Sequence, residues 1–293
     1  MSNIHPFHVS SAPQGLRVQR DDSLQAYWCH LHADFAAGTS VPAFTPRLLQ
    51  QLHDCASSLI EESGAIAGHG PGHLVLASDA PVFSLGGDLV HFTRMIRSGD
   101  HDGLRRYAHA CVDNIHLLHG GLQNRVQTIA LVQGDAMGGG LEMALACHTI
   151  VAEEGVQMGF PEPLFGLFPG MGAFPLLARR MPPHAVRDMM LDGTTYSSQQ
   201  LHGMGLVDIL VPRGDGVRAV QDLIRRQQRN LAARFAVDRL AAVTHPLSRD
   251  ALIQGVDIWV QTAMQLDERH LRTMERLIRA QQRLAATSAT RSR

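Results

Sequence analysis

The run GDAMGGGLEM (residues 134–143) places three consecutive glycines between two apolar segments. The preceding QTIALVQ (127–133) has the composition of a short buried strand, and a helical pattern starts at Leu141. The first N–H groups of a helix have no intrahelical acceptor, so Gly138, Gly139 and Gly140 can bind an oxyanion. A tight strand-to-helix turn that needs close packing is the alternative explanation of the glycines. Either way, the run predicts a strand, a glycine turn and a helix of an α/β fold.

A second strand-to-glycine arrangement lies about fifty residues earlier in the chain. HLVLAS (73–78) is a short apolar strand pattern, and the loop after it contains the adjacent Gly86 and Gly87. Glycine lets the backbone approach a ligand and present its N–H group. Ligands of α/β sheets bind at the carboxyl ends of parallel strands. We therefore expect the two glycine loops to share one carbonyl oxygen.

Two glutamates have apolar surroundings that are unusual for this residue. Glu142 lies in the first turn after the glycines, and Glu162 lies in the loop GFPEPLF (159–165). Burial raises the pKa of a carboxyl group, so that one member of a close pair stays protonated near neutral pH while the other is ionised. Such a pair performs acid and base catalysis. The alternatives are a glutamate that interacts with a helix dipole at 142 and a surface glutamate at 162.

Strand and helix patterns alternate on both sides of these motifs, which predicts an α/β fold. Beyond about Val211 the pattern becomes helical, with predicted helices over 216–240 and 249–284 and a break at 244–246. We expect four regions: a mobile N-terminal tail (1–15), an α/β core (16–210), a helical C-terminal region (211–285) and a polar tail (286–293).

Composition and charge exclude several classes of function. The chain has 293 residues, a formal net charge of -1 and a pI near 7.0, so no global field attracts nucleic acid. All 26 basic residues are arginine, which excludes a Schiff-base lysine and a P-loop lysine. The four cysteines form no C-x-x-C pair, and we expect reduced, mostly buried thiols.

Targeting signals are absent from the sequence pattern. The N-terminal residues show no charged-then-apolar signal sequence, and no apolar run approaches the roughly eighteen residues that span a bilayer. We expect a soluble, cytoplasmic protein without membrane insertion and without a nucleic-acid partner.

Three motifs resemble the crotonase superfamily, which contains the enoyl-CoA hydratases and isomerases. These are SLGGDL (84–89), GGGLE (138–142) and GFPE (159–162). The resemblance implies a crotonase-like spiral of repeated ββα units. It also implies an oxyanion hole at Gly87 and Gly139, with Gly86 adjacent, and a catalytic pair of Glu142 and Glu162. Isomerases of the family generally lack the full pair, so hydration or dehydration without a cofactor or metal is implied.

Within the superfamily, the chain is most similar to the diffusible-signal-factor synthases. The similar stretches are 24–28, 83–89, 158–162 with 168–172, and 256–260. This resemblance implies dehydration of a medium-chain 3-hydroxyacyl-[acyl carrier protein] to the cis-2-enoyl thioester. Hydrolysis to the free cis-2-unsaturated fatty acid of quorum sensing would follow. Hydratases commonly contact coenzyme A phosphates with lysines, which this chain lacks, although arginine also binds phosphate.

Further expectations concern the acyl chain and the partners. Trp259, Leu277 and Met171 are the candidate walls of an apolar tunnel, and core packing is their alternative role. The excess of arginine over aspartate in residues 213–239 predicts either a docking surface for an acidic carrier or a solvated helix face. The resemblance implies that residues 16–210 form the crotonase-like catalytic core and that residues 211–285 cover the acyl pocket and form a homotrimer or hexamer. It also implies a sensor-protein partner. Two alternative functions remain: an enoyl-CoA hydratase of fatty-acid metabolism, and a scaffold that binds a sensor protein.

Overall fold

The computed structural model describes residues 4–6, 15–35, 41–65 and 72–291. Within these ranges, ten strands form two sheets. The strands are β1 (Ile4–Pro6), β2 (Leu16–Asp21), β3 (Ala26–Leu31), β4 (His73–Ser78), β5 (Gln127–Val132), β6 (Ala136–Met137), β7 (Thr149–Glu153), β8 (Gln157–Gly159), β9 (Thr195–Ser197) and β10 (Ile209–Val211).

The larger sheet has seven strands in the order β1-β2-β3-β4-β5-β7-β10. Its first three strands pair in antiparallel fashion, and the pairs from β3 to β10 are parallel. The smaller sheet has the order β6-β8-β9. Because β4 and β5 are adjacent and parallel, the loops that follow them emerge side by side at one edge of the sheet.

Helices make up most of the remaining described chain, and many have a recognisable cap. They are α1 (Pro46–Ala65), α2 (Leu89–Ser98), α3 (His101–His119), α4 (Gly121–Asn124), α5 (Gly139–Leu145), α6 (Ala173–Leu177), α7 (Pro183–Leu191), α8 (Ser198–Gly203), α9 (Gly216–Gln228), α10 (Leu231–Thr244), α11 (Arg249–Ala263) and α12 (Glu268–Arg291), with a 3₁₀ helix at Glu162–Phe165. Asp88 caps α2 by accepting the His91 N–H, and Ser248 caps α11 by accepting the Ala251 N–H.

Both faces of the seven-stranded sheet are covered, which explains why its central strands are apolar throughout. Alternate residues of a strand point to opposite faces. Leu74 and Leu76 of β4 therefore join the main core with the helices, whereas Val75 packs in a second cluster. That second cluster contains Val220 and Ile224 of α9, so α9 is the helix that covers the far face.

The α/β architecture with a helical C-terminal region agrees with the expectation from the sequence. The predicted helix from 216 to 240 is two helices, because the chain leaves the helical conformation at Asn230 (φ −139°, ψ 32°). The predicted helix from 249 to 284 is also divided, into α11 and α12. The break predicted at 244–246 is confirmed by the end of α10 at Thr244.

The terminal segments are only partly described. Residues 4–6 form β1, which pairs with β2, and the other residues of the expected tail up to 14 lie outside the described part of the chain. At the other end, the backbone helix of α12 extends to Arg291, within the expected polar tail.

All four cysteines are buried and free, which confirms the expectation of reduced thiols. In the described ranges, no helix combines the length and the apolar character that crossing a membrane requires.

Candidate active site

The two glycine loops are joined side by side by backbone hydrogen bonds. Ser84 and Ala136 form an isolated parallel bridge, and the Met137 N–H donates to the Ser84 carbonyl at 2.9 Å. The Phe83 N–H donates to the Asp135 carbonyl at the same distance. The loop after β4 and the loop after β5 are thus one structural unit, as expected from the position of their strands.

Glycine is required in this unit because the two backbones approach so closely. Gly86 has φ +91°, and a Cβ atom there would lie 2.7 Å from the Met137 carbonyl oxygen. Gly138 has φ +53°, and a Cβ atom there would collide with Oε1 of Glu162. The alternative explanation of the glycines, a tight turn that needs close packing, therefore applies. It does not compete with ligand binding, since the same close approach brings the backbone N–H groups together.

The N–H groups of Gly87 and Gly139 lie on facing segments of the unit. A Cβ atom on Gly139 would lie 3.5 Å from the Gly87 nitrogen. The bonds that hold the loops use the flanking N–H groups instead: Gly138 donates to the Gly159 carbonyl at 2.8 Å, and Asp88 donates to Tyr107 Oη at 3.2 Å. Gly139 is also the first residue of α5, where the N–H has no intrahelical acceptor.

Glu142 is held in place by a hydrogen bond from the first residue of α6. Its residue is 1% exposed, and its Oε1 accepts the Ala173 N–H at 2.9 Å. Burial and the nearby Glu162 carboxylate raise the pKa of Glu142 well above its ordinary value, while the bond from Ala173 acts in the opposite direction. Glu142 lies in the first turn of α5, as the helix-dipole alternative also requires, and its carboxyl group is buried and lines a cavity.

Glu162 reaches the same cavity from the smaller sheet. Pairing of Met137 with Gly159 places the first residue of the 3₁₀ helix beside Gly138. Although part of Glu162 reaches the surface, its Oε2 is buried and has no hydrogen-bond partner among the described residues. Burial raises the pKa of Glu162 to about 7. The two glutamates are thus a pair of buried carboxyl groups that interact with each other.

An apolar cavity of about 260 Å³ lies in front of the glycines and the glutamates. Met171, Trp259 and Leu277, the three expected wall residues, all line it. Met171 faces the oxyanion segment, since a Cβ atom on Gly139 would lie 2.5 Å from its Sδ. Trp259 is 5% exposed, so it also packs in the core, and the two roles coexist.

Helices α2 and α3 contribute a part of the cavity wall that the sequence pattern did not predict. Phe92 lies between Gly87 and Trp259: its ring is edge-on to Trp259 with centroids 5.1 Å apart, and a Cβ atom on Gly87 would lie 2.5 Å from its Cζ. Ala108 and Cys111 of α3 line the cavity as well. The three-residue spacing of Ala108 and Cys111 could have indicated that both lie on one face of a helix. Core residues show the same spacing, so it does not distinguish a cavity wall from the core.

Residues 69–270 match the family model described as enoyl-CoA hydratase/isomerase, which covers more than half of the chain. The chain belongs to the enoyl-CoA hydratase/isomerase family. The motifs that suggested the crotonase superfamily all lie within the matched range, and the family assignment confirms that resemblance at the level of the superfamily.

Two curated relatives match about half of this family member. It is 36% identical over 142 residues to the peroxisomal fatty acid beta-oxidation multifunctional protein AIM1 of Arabidopsis thaliana, covering 48% of this chain and 19% of the relative. It is 30% identical over 157 residues to the enoyl-CoA isomerase/hydratase fer4 of Mycosarcoma maydis, covering 53% of this chain and 55% of the relative. The matched part of the chain thus spans about a fifth of the length of the first relative and about half of the length of the second.

Solved structures of the family share the fold at low sequence identity. The enoyl-CoA hydratase from Bacillus halodurans superposes with a TM-score of 0.73 at 16% identity, over 90% of this chain and all (100%) of the other. The crotonase-type mixed α/β architecture with a C-terminal helical region is therefore shown.

Proposed function

We propose that this family member reversibly hydrates 2-enoyl thioesters, and so dehydrates 3-hydroxyacyl thioesters, in the cavity between the glycine loops. The observation that carries the proposal is the buried pair of Glu142 and Glu162 beside two glycine N–H groups. The family assignment and the names of the two curated relatives support the same class of chemistry in fatty-acid metabolism.

The Gly87 and Gly139 N–H groups are the proposed oxyanion hole. The thioester carbonyl oxygen accepts both hydrogen bonds, which strengthen as negative charge develops on the enolate oxygen. Removal of one donor of this type costs about 10²–10³ in rate. The apolar walls keep the site at low polarity, where these hydrogen bonds are worth more than in water.

The two glutamates provide the acid and the base of the proposed reaction. A backbone N–H donated to a carboxylate favours its ionised form, and Glu142 has such a bond from Ala173. This bond opposes the effect of burial, which nevertheless raises the pKa of Glu142 well above its ordinary value, and burial raises the pKa of Glu162 to about 7. The pair therefore holds a proton near neutral pH: in hydration the ionised carboxylate activates water, and the protonated carboxyl group protonates C2. In the dehydration direction these roles reverse.

Glutamine substitutions test this proposal. Glu142→Gln and Glu162→Gln keep the shape of each side chain but remove its proton transfer. We expect each to lower kcat for hydration of trans-2-dodecenoyl thioester by about 10²–10⁴, measured from the loss of enoyl absorbance. Glu154→Gln, on a glutamate outside the cavity lining, is the control. Full activity of either cavity variant, with an unchanged far-ultraviolet circular dichroism spectrum, would contradict the shared site.

A second candidate is the signal-factor synthase reaction, favoured by one specific feature of the chain. No lysine is present to contact nucleotide phosphates, whereas the cavity offers an apolar space for a medium-length acyl chain. In this version, the substrate is a 3-hydroxyacyl chain on an acyl carrier protein. The cis-2-enoyl thioester is then hydrolysed by water that a glutamate activates, with the tetrahedral oxyanion between Gly87 and Gly139. Free cis-2-enoic acid is the product that distinguishes this candidate.

The C-terminal helices fit the proposed role of pocket cover. Trp259 of α11 and Leu277, Ala280 and Gln281 of α12 line the cavity. We further propose that this region forms the oligomer, since α10 buries none of its residues in the described chain. A scaffold role with a sensor protein remains a prediction, because none of the described features identifies a surface for it.

A further inference from the structure

Five arginines form a single row along the exposed face of α12. They are Arg269, Arg272, Arg276, Arg279 and Arg283, and all five are exposed. Their spacing of three, four, three and four residues puts successive arginines next to each other on one face of the helix. We call this row the arginine stripe. Its ends are 14 residue steps apart, or about 21 Å along the helix axis.

Within the described chain, the carboxylates of α12 form no ion pair with four of the five arginines of the stripe. Glu275 binds Arg97 of α2 at 2.7 Å, and Glu268 binds the same guanidinium at 3.4 Å. Among the ion pairs of the described residues, none includes Arg269, Arg272, Arg276 or Arg279. Like charges at these spacings destabilise a helix. The stripe is therefore a concentrated positive field on a chain whose net charge is -1.

The arginines of α9 differ from the stripe in this respect. Arg218 pairs with Asp215 at 3.1 Å, and Arg225 pairs with Asp222 at 2.8 Å, each within its own segment. The local excess of positive charge in residues 213–239 is thus partly neutralised by aspartates of the same segment, which is typical of a solvated helix face.

The stripe also lies beside the mouth of the candidate active site. Leu277, Ala280 and Gln281 of the same helix line the cavity, and Ala280 is solvent-exposed. Arg276 and Arg283 are four and three residues from Ala280, so they are its neighbours on the helix surface. A partner that binds the stripe is therefore close to the point at which an acyl chain enters.

We propose that the arginine stripe docks an acidic helix of a carrier protein that delivers the acyl thioester into the cavity. This inference rests on the proposed function, since it assigns the form in which the substrate arrives. Charge complementarity is the recognition principle: a row of guanidinium groups about 21 Å long matches carboxylates spaced along one helix. A small thioester lacks this surface and gains nothing from the stripe.

The test compares one acyl group on three carriers. The substrates are 3-hydroxydodecanoyl thioesters of a bacterial acyl carrier protein, of coenzyme A and of N-acetylcysteamine. Arg272→Glu combined with Arg276→Glu reverses the centre of the stripe. We expect kcat/KM for the carrier-protein substrate, relative to that for the N-acetylcysteamine thioester, to fall at least about tenfold. The loss should be greatest at low salt.

A matched double variant on α9, Arg218→Glu with Arg225→Glu, changes the same number of charges elsewhere and should leave the ratio unchanged. An equal loss from the α9 variant would overturn the proposal. A loss with the coenzyme A thioester as large as that with the carrier-protein substrate would also overturn it, since the stripe would then bind phosphate. An unchanged ratio for the α12 variant would do the same.

Binding is measured separately so that docking and catalysis can fail independently. Fluorescence anisotropy of labelled acyl carrier protein should show tighter binding to the parent protein than to the α12 variant. No difference between them would overturn the docking surface even if the enzyme is active. If the parent protein converts none of the three thioesters, the proposed function is wrong, and the anisotropy result still decides the docking proposal.

Discussion

The Oε1 atom of Glu142 accepts the backbone N–H of Ala173 at 2.9 Å, across 31 residues of the chain. Ala173 is the first residue of α6, where the N–H has no acceptor within the helix. The buried carboxyl group and the helix end therefore satisfy each other. This bond fixes the orientation of Glu142 toward the cavity and leaves Oε2 as the oxygen that we expect to contact water.

The raised pKa of Glu162 predicts a stability effect with a defined sign. The folded state binds its proton up to about pH 7, whereas the unfolded chain releases it near 4.5. The protein therefore loses stability as the pH rises from about 4.5 through 7. Glu162→Gln removes this loss. We expect the variant to exceed the parent by up to about 3 kcal/mol in free energy of unfolding at pH 8.5.

Urea denaturation at pH 8.5 and at pH 4 measures this difference. At pH 4 the glutamate is mostly protonated in both the folded and the unfolded state, so the free energies of unfolding of the parent and the variant should nearly coincide. A difference between parent and variant that does not change with pH would contradict the assignment of a buried, proton-holding Glu162.

Alanine at the oxyanion glycines should reduce turnover without unfolding the protein. A Cβ atom at Gly87 would lie 2.5 Å from Phe92 Cζ, and one at Gly139 would lie 2.5 Å from Met171 Sδ. Both neighbours are side chains that can shift, so we expect the fold to be retained. The added methyl group would still displace the N–H donor from its position in the oxyanion hole. We expect kcat to fall by about 10²–10³ for each variant in the thioester hydration assay.

Gly255 of α11 provides the control for these two substitutions. It is exposed, and a Cβ atom there would have no heavy atom within 4 Å. Gly255→Ala should raise the melting temperature slightly, because alanine favours the helix by about 1 kcal/mol. Its turnover should equal that of the parent. Loss of activity in this variant would mean that alanine at any glycine impairs the enzyme.

The two tryptophans allow a matched test of the acyl-chain wall. Trp259 lines the cavity, whereas Trp28 belongs to the second core cluster on the far face of the sheet. Trp259→Phe should widen the cavity and shift the ratio of kcat/KM for longer over shorter chains by about tenfold. Trp28→Phe should leave this ratio at the parent value. Identical chain-length profiles for both variants would remove Trp259 from the wall.

The exposed apolar residues of α10 predict its role in assembly. Val237, Leu240 and Val243 are 62%, 63% and 79% exposed, which is unusual for three apolar residues on successive turns. Leu240→Glu should lower the molar mass measured by sedimentation equilibrium. Leu191→Glu changes a leucine of the same exposure (63%) on α7 and should leave the mass unchanged. Equal masses for both variants would contradict an α10 interface.

Local patterns were sufficient to locate the two glycine loops. Strand β4 has the bounds that the sequence predicts, and β5 ends one residue earlier than predicted, because runs of branched residues bounded by glycine have few other interpretations. Gly87, Gly139, Glu142 and Glu162 were all selected from the sequence. Residues far apart in the chain meet there because adjacent parallel strands direct their loops to one edge of the sheet.

Other features depend on tertiary packing and leave little trace in the local pattern. Phe92 became a wall residue because Gly87 leaves space for its ring, which is a relationship between two elements. The short strands β6, β8 and β9 have two or three residues each, too few for a period to be recognised. The break between α9 and α10 occurs in a sequence without glycine or proline.

The most direct test of the central claim is to identify the products formed from both carriers. The purified protein is incubated with 3-hydroxydodecanoyl and trans-2-dodecenoyl thioesters of coenzyme A and of acyl carrier protein. Products are separated by liquid chromatography and identified by mass spectrometry against cis and trans standards. The account predicts interconversion of the 3-hydroxyacyl and 2-enoyl thioesters that Glu142→Gln and Glu162→Gln abolish. Absence of interconversion on both carriers, from folded protein, would contradict it.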